Sequence, residues 1–268
     1  MLDRLHALFP DASRTSLRHW LAAGRVRVDG TVVRRGDVEV APGDRVTLGA
    51  PPATFPPALR LVHEDDDLIV VDKPAGLLTI ATERERQRTA YRMLADYVAA
   101  QPGGRRLFIV HRLDRETSGL LVFAKSAAAK RALQAQFEAR AVERVYVAVV
   151  EGRVAAASGT LRARVAEDPR TLRVHTSRRG REAVTRYRVV ERRPRSTVLE
   201  LSLETGRRGQ IRAQLAALGH PIVGDEAFGS RRDPARRLCL HATRLGFLDG
   251  TGHAVTFESP APEVFRRA

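Results

Sequence analysis

The sequence predicts an α+β protein in which a mixed, largely antiparallel sheet domain follows a small α/β module. Three observations predict it. Apolar runs of strand length outnumber the stretches with helical periodicity, and several are short-linked in the manner of hairpins, which favours an antiparallel over a doubly wound sheet. The first 50 residues carry a pattern of their own, and 268 residues suit about two domains at roughly 150 each. Between the two parts lies APPATFPPALR, where Pro51, Pro52, Pro56 and Pro57 stiffen the backbone and forbid helix or central strand. The expected division is a module at 1–50, a linker at 51–58 and a sheet domain at 59–268.

In the front module Ser13 is placed to cap a helix over Thr15 to Ala23, with Leu17, Trp20 and Leu21 on one face at three-and-four spacing. Gly24 ends it. Short strands are expected at Arg25 to Val28, at Thr31 to Val33 across the turn Asp29-Gly30, and at Asp44 to Leu48 after Pro42-Gly43. Beyond the linker, strands are expected at Leu68 to Val71, Leu107 to Val110, Gly119 to Ala124, Tyr146 to Val150, Thr160 to Val165, Ala183 to Val190 and Thr197 to Leu203. Helices are expected at Thr89 to Ala100, Ser126 to Ala139 and Gln210 to Leu218, and a basic, proline-containing loop at Ser230 to Arg237.

The formal net charge is +15, so the expected partners are polyanions: RNA, DNA or an anionic surface. Of the 46 basic residues only Lys73, Lys125 and Lys130 are lysine, a skew that codon composition also favours. The single cysteine, Cys239, excludes an internal disulfide and a four-cysteine zinc site, and its neighbours Leu238 and Leu240 place it in a buried strand. No run of 18 apolar residues and no leader-like N-terminus is present, so a soluble, cytoplasmic protein is expected. No heptad or dimer seam appears, and a monomer is the expected state.

The segment HRLDRETSGLLVFAKS, His111 to Ser126, concentrates charge where a strand begins. Asp114 lies among His111, Arg112 and Arg115, with Thr117 and Ser118 as hydrogen-bond donors. Cations favour the ionised carboxylate, so Asp114 is expected to stay charged well below pH 7. Such a group serves either as a nucleophile, as in retaining glycosidases, or as an ordinary structural ion pair. His111 and His241 are expected to be structural. The acidic run HEDDD, His63 to Asp67, offers carboxylates to a hard cation, but consecutive residues alternate in direction and a turn fits better.

HRLDRETSGLLVFAKS resembles the central motif of the pseudouridine synthases of the large-subunit ribosomal RNA type, the RluA family. Other segments agree in order: DDDLIVVDKPAGLLT (Asp65 to Thr79), RVYVAVVEG (Arg144 to Gly152), GRRGQIRAQLAALGHPIVGDEAFG (Gly206 to Gly229) and LCLHATRLGF (Leu238 to Phe247). Together they span about Leu59 to Pro260. The front module, through Ser13, Arg14, Leu17, Leu21, Gly24, Val26, Val28, Asp29, Gly30, Gly43 and Asp44, is similar to the small RNA-binding domain of the S-four type. The resemblance implies a sheet domain of pseudouridine synthase type that converts uridine to pseudouridine in RNA without metal or cofactor. Ribosomal RNA is favoured over transfer RNA as the partner.

The resemblance assigns roles residue by residue. Asp114 is implied as nucleophile or base, by attack on C1′, by removal of the 2′ proton or by addition to C6. Tyr146 is implied to stack on the uracil and is a candidate for taking the C5 proton. Arg212 is implied to pair with Asp114. Arg112 is implied to fill the gap left by an extruded nucleotide. RNA contacts are expected from Arg115, Lys73 and Arg207 in the sheet domain and from Arg14 and Arg25 in the module. One departure stands out: the last motif usually reads Gly-Arg-Thr-His-Gln-Ile-Arg, and here Arg208 and Gly209 replace the threonine and histidine. Arg144 stands where lysine is frequent. Gly209 is the feature that favours an alternative, a catalytically silent RNA-binding protein retaining the fold.

Overall fold

A computed structural model describes residues 1–49, 53–101, 104–168 and 174–268. They fall into two compact units, Met1–Phe55 with Asp96–Arg105, and Pro56–Ala95 with Arg106–Ala268. Pro51, Pro52 and the expected boundary at residue 50 lie outside the described residues.

The first unit holds two helices, α1 (Leu2–Leu8) and α2 (Arg14–Ala22), and a three-stranded antiparallel sheet of β1 (Val26–Val28), β2 (Thr31–Val33) and β3 (Val46–Leu48) with β1 central. The Ser13 hydroxyl accepts the Ser16 N–H at 3.1 Å, which satisfies one of the open donors of the α2 N-terminus. Leu17 and Leu21 of α2 meet Leu5 of α1 and Val26 of β1 in a small core, and Phe9 packs edge-on to Trp20. Helix α1 was not expected: only Leu2, Leu5 and Leu8 mark its face.

The second unit is built on an eleven-stranded sheet. In chain order its strands are β4 (Arg60–Glu64), β5 (Leu68–Lys73), β6 (Phe108–Ile109), β7 (Ser118–Ala124), β8 (Glu143–Glu151), β9 (Ser158–Glu167), β10 (Val174–Thr176), β11 (Arg181–Arg192), β12 (Ser196–Leu203), β13 (Leu240–Leu248) and β14 (Ala254–Glu258). In space they run β10-β9-β11-β12-β8-β13-β7-β5-β4, with β14 beside β13 and β6 beside β7. Every pairing is antiparallel except β13 with β7. The expected α+β class and mixed, largely antiparallel sheet are therefore what the chain forms. Helices α3 (Ala90–Ala99), α4 (Ala127–Glu138) and α5 (Gln210–Ala217) appear where their periodicity placed them.

All seven residues of β7 are buried, because other strands flank it on both edges and side chains cover both faces. Leu120 and Val122 join Leu68 and Val70 of β5, Leu133 of α4, and Leu245 and Phe247 of β13 in one core layer. Gly119 opens β7 because nothing larger fits: a Cβ there would lie 2.3 Å from the carbonyl oxygen of Ala242, its partner across the parallel pairing with β13. The HEDDD run ends β4 with His63 and Glu64 and turns toward β5 over Asp65–Asp67. Asp65 accepts the N–H groups of Asp67 and Leu68, both at 2.8 Å, and Lys125 is held by Glu64 at 2.7 Å. Among the described residues no cluster of three His, Cys, Asp or Glu side chains is arranged to hold a metal ion.

Candidate active site

Asp114 sits in the loop between β6 and β7, and that loop is pinned from the first motif. The Thr79 hydroxyl donates to the carbonyl of Leu113 at 2.8 Å and accepts the Leu113 N–H at 3.2 Å. The carbonyl of Arg115 accepts from the Gly76 N–H at 2.9 Å and from Lys73 Nζ at 3.1 Å. Both neighbours of Asp114 are thus fixed while its carboxylate stays 21% exposed.

Lys73 corrects an expectation. Instead of reaching phosphate it is fully buried, and its ammonium donates to the carbonyls of Leu77, Pro74 and Arg115 at 2.7, 2.9 and 3.1 Å. Burial pushes its pKa down to about 7, against the pull of Glu116 and Asp114. Its role is to tie the turn at Pro74-Gly76 to the loop that carries Asp114. Ser118 departs from expectation as well: its hydroxyl bonds the His241 ring nitrogen at 2.8 Å, not the carboxylate.

Arg212 projects from the first turn of α5. Two glutamines, both buried, lock that helix. Gln210 bonds Thr205, Val184, Thr185 and the Arg207 N–H, and Gln214 bonds Thr185, Leu161 and Ala183, all between 2.6 and 3.1 Å. A fully satisfied polar network of this kind fixes geometry more tightly than apolar packing alone. Between them the Arg212 guanidinium is gripped bidentately by Asp225, Nε to Oδ2 at 2.7 Å and Nη2 to Oδ1 at 2.6 Å. It also lies over the Phe228 ring at 4.5 Å. Its free edge faces Asp114, with Nη1 4.0 Å from Oδ2. The strong partner is therefore Asp225, which the sequence did not single out; its place thirteen residues after Arg212 in the same motif was the available signal. Burial disfavours the Arg212 charge, but Asp225 and Asp114 outweigh it and the pKa rises.

Tyr146 and Arg144 lie two residues apart on β8 and so share a face. Tyr146 is buried, and burial pushes its phenol up to about 12, with Arg144 acting the other way. Asp114, Tyr146 and Arg212 line one cavity of about 570 Å³ together with Arg112, Arg144, Arg207 and the turn Gly206–Gly209. That volume suits a nucleotide. Arg112 is exposed at this cavity. Arg207 is exposed, its backbone held by Gln210 and its Nε 3.4 Å from the Glu182 carbonyl. Arg115 stays outside, bonding Gly76 at 3.0 Å with Glu116 at 3.6 Å. In the first unit Arg14 is exposed beside Asp3, while Arg25 spends its Nε on the Gly49 carbonyl at 3.0 Å and stacks over Trp20.

The unusual pair in the last motif has a local cause. Gly209 takes φ +58° at the start of α5, and a Cβ there would meet the Val174 side chain at 3.3 Å. A histidine there is strained by the left-handed backbone and has to displace the Val174 side chain of β10. Arg208 forms an ion pair with Glu167 of β9. His111 is structural, as expected: its Nε2 accepts the Val122 N–H at 3.2 Å and its ring stacks on Phe137. Burial, helped by Arg144, pushes its pKa down to about 3, so it stays a neutral acceptor.

A chain with this sheet matches a known class. The family model for RNA pseudouridylate synthases covers residues 67–217, and the chain belongs to that family. Its activity is that of an RNA pseudouridine synthase. The ribosomal large subunit pseudouridine synthase D of Pseudomonas aeruginosa is 37% identical over 98% of this chain and 89% of its own length. An uncharacterised RNA pseudouridine synthase of Bacillus subtilis, YlyB, is 36% identical over 94% of this chain and 87% of its own. Among solved structures, human RNA pseudouridylate synthase domain containing 1 superposes with a TM-score of 0.62 at 27% identity, over 76% of this chain and 84% of that one.

Proposed function

We propose that the protein isomerises particular uridines in large-subunit ribosomal RNA, as a cytoplasmic monomer, with Asp114 as its reacting group. The observation that carries this reading is the meeting of Asp114, Tyr146 and Arg212 in one cavity of nucleotide size. Asp114 has no hydrogen-bonded side-chain partner among the described residues, and Arg212 stands 4.0 Å away, so one carboxylate oxygen is free to approach the ribose or base. Attack at C1′, removal of the 2′ proton and addition at C6 all use that oxygen, and none requires a metal or an organic cofactor.

Arg212 holds the carboxylate's position while Asp225 holds Arg212. Tyr146 offers a flat, apolar wall for the uracil. With its phenol neutral at physiological pH, Tyr146 works as a stacking surface and hydrogen-bond donor. As a base at C5 it must first hand on its own proton. Arg112, free and exposed at the cavity, takes the place of the extruded nucleotide in the RNA stack. The choice of large-subunit RNA rests on the names of relatives that match nearly the whole chain.

Chemical mapping of pseudouridine in ribosomal and transfer RNA, from cells with and without the gene, tests the substrate. Loss of discrete sites in large-subunit RNA is the expected result. Loss confined to transfer RNA would overturn the assignment.

A further inference from the structure

The Arg144 side chain is incompletely partnered. Its Nε is, among the described residues, the one buried side-chain polar atom without a hydrogen-bond partner. Its Nη2 has only long contacts, 3.4 Å to the Leu203 carbonyl and 3.5 Å to the Glu204 carbonyl. Among the described residues no carboxylate lies within ion-pair distance of it: Arg212 has Asp225, Lys125 has Glu64, and the neighbouring Glu204 is taken by Arg186. Buried polar groups are almost always satisfied, so a guanidinium left this way is waiting for an acceptor.

Its surroundings are shaped around it. Gly206 clears its path, since a Cβ there would stand 2.5 Å from Nη1. The Phe137 ring supports the guanidinium at 5.5 Å. Arg144 and Gly206 both line the cavity of Asp114, and strand alternation puts Arg144 on the Tyr146 side. Within a flipped nucleotide the acceptors are the uracil carbonyls, which are neutral, and the phosphodiesters, which are anionic. An uncompensated charge in a half-buried site selects the anion, and the planar fork of arginine matches two phosphate oxygens at once.

The geometry points to Arg144 as the site that grips a phosphodiester flanking the target uridine, and so sets how deeply that nucleotide enters the cavity. This rests on the pseudouridine synthase reading and names one further contact within it. Arg144 acts as a binding and positioning residue and does not touch the reacting atoms.

The test uses the full chain and a synthetic stem-loop cut from large-subunit ribosomal RNA around a uridine whose modification in cells depends on the gene. Two further stem-loops carry a neutral methylphosphonate at the 5′ or the 3′ phosphate of that uridine. Wild type is expected to bind one of the two at least tenfold more weakly than the natural RNA. Arg144→Met is expected to bind the natural RNA at least tenfold more weakly, to lose about 0.7 from the log–log salt slope, and to be indifferent to the methylphosphonates. Arg144→Lys, keeping the charge without the fork, is expected to remain sensitive to the same methylphosphonate. Wild-type indifference to both substitutions overturns the inference, as does equal sensitivity in wild type and Arg144→Met. Tritium release from the natural RNA separates the two levels: release with no phosphate sensitivity removes only this inference, and no release from any RNA removes both.

Discussion

At the scale of single residues, the proposed site divides into groups assigned to the reaction and groups that hold them. Asp225 holds Arg212 with two charge-assisted bonds while itself 1% exposed, so removing its charge leaves a guanidinium in a half-buried site with only Asp114 nearby. Asp225→Asn should lower kcat on the order of 10²-fold with KM little changed, because misplacing Arg212 disturbs the reacting carboxylate more than RNA binding. An unchanged kcat would show that Asp114 needs no such support. His111 yields a pH prediction. Its folded pKa, about 3, lies below the ordinary value of 6.5, so the unfolded chain takes up the proton first. Stability is then full above 6.5 and is lost as pH falls toward 3, by about 2 kcal/mol at pH 5. His111→Gln retains an acceptor for Val122 and should show a flatter decline in thermal melts between pH 7 and 5. Matching slopes would contradict the assignment. The residues proposed to react were legible because each falls inside a dense motif. Asp225, Thr79 and the true role of Lys73 were not, since charge in a sequence says nothing about burial; three carbonyls decide the fate of Lys73, and they are contributed by backbone.

At the scale of elements, the parallel junction of β7 with β13 sets where the Asp114 loop ends. Gly119→Ala places a methyl group 2.3 Å from the Ala242 carbonyl at φ +113°, and the strands have to part. A loss on the order of 3 kcal/mol in denaturant unfolding, with reduced turnover, is expected from the combined strain and crowding. A wild-type midpoint would mean that β13 yields without consequence. Most elements could be read from pattern. Ser13 before the Leu17–Leu21 stripe marked α2, and the apolar run after Gly119 marked β7. Among the described residues four strands lay outside the expected ones; β13 is mostly buried and was marked only by the Leu238–Leu240 stretch around Cys239, whereas the other three share a cause. Strand β4 is exposed over its first two residues and only half-buried over its last three, the inward residues of β14 are only half-buried, and β10 is three residues long, so none stands out from loop. The expected strand ends also fell short at β8, β9 and β11, where pairing continues into charged residues such as Glu143, Glu167 and Arg192.

At the scale of the whole molecule, charge and fold serve the same substrate. The net charge of +15 means that RNA affinity should fall steeply with salt, by roughly 0.7 in log–log slope for each phosphate neutralised along single-stranded RNA. We propose the first unit as an RNA anchor through exposed arginines of α2 and β1. Replacing Arg14, Arg18 and Arg27 together with glutamine should reduce the slope while leaving kcat on a saturating stem-loop unchanged. An unaltered slope would remove the anchor role. The class of the fold was legible from the sequence, because hairpin-linked strands leave few alternatives to an antiparallel sheet. Strand order was not legible: the crossing that sets β13 between β8 and β7 depends on contacts more than 90 residues apart, and no local pattern encodes it. The proposed chemistry stands on a carboxylate oxygen of Asp114. Tritium release from RNA labelled at uracil C5 measures its work directly, with Asp114→Asn keeping the shape and removing the charge. Release by wild type and none by the variant is the predicted result; release at equal rates would contradict the account.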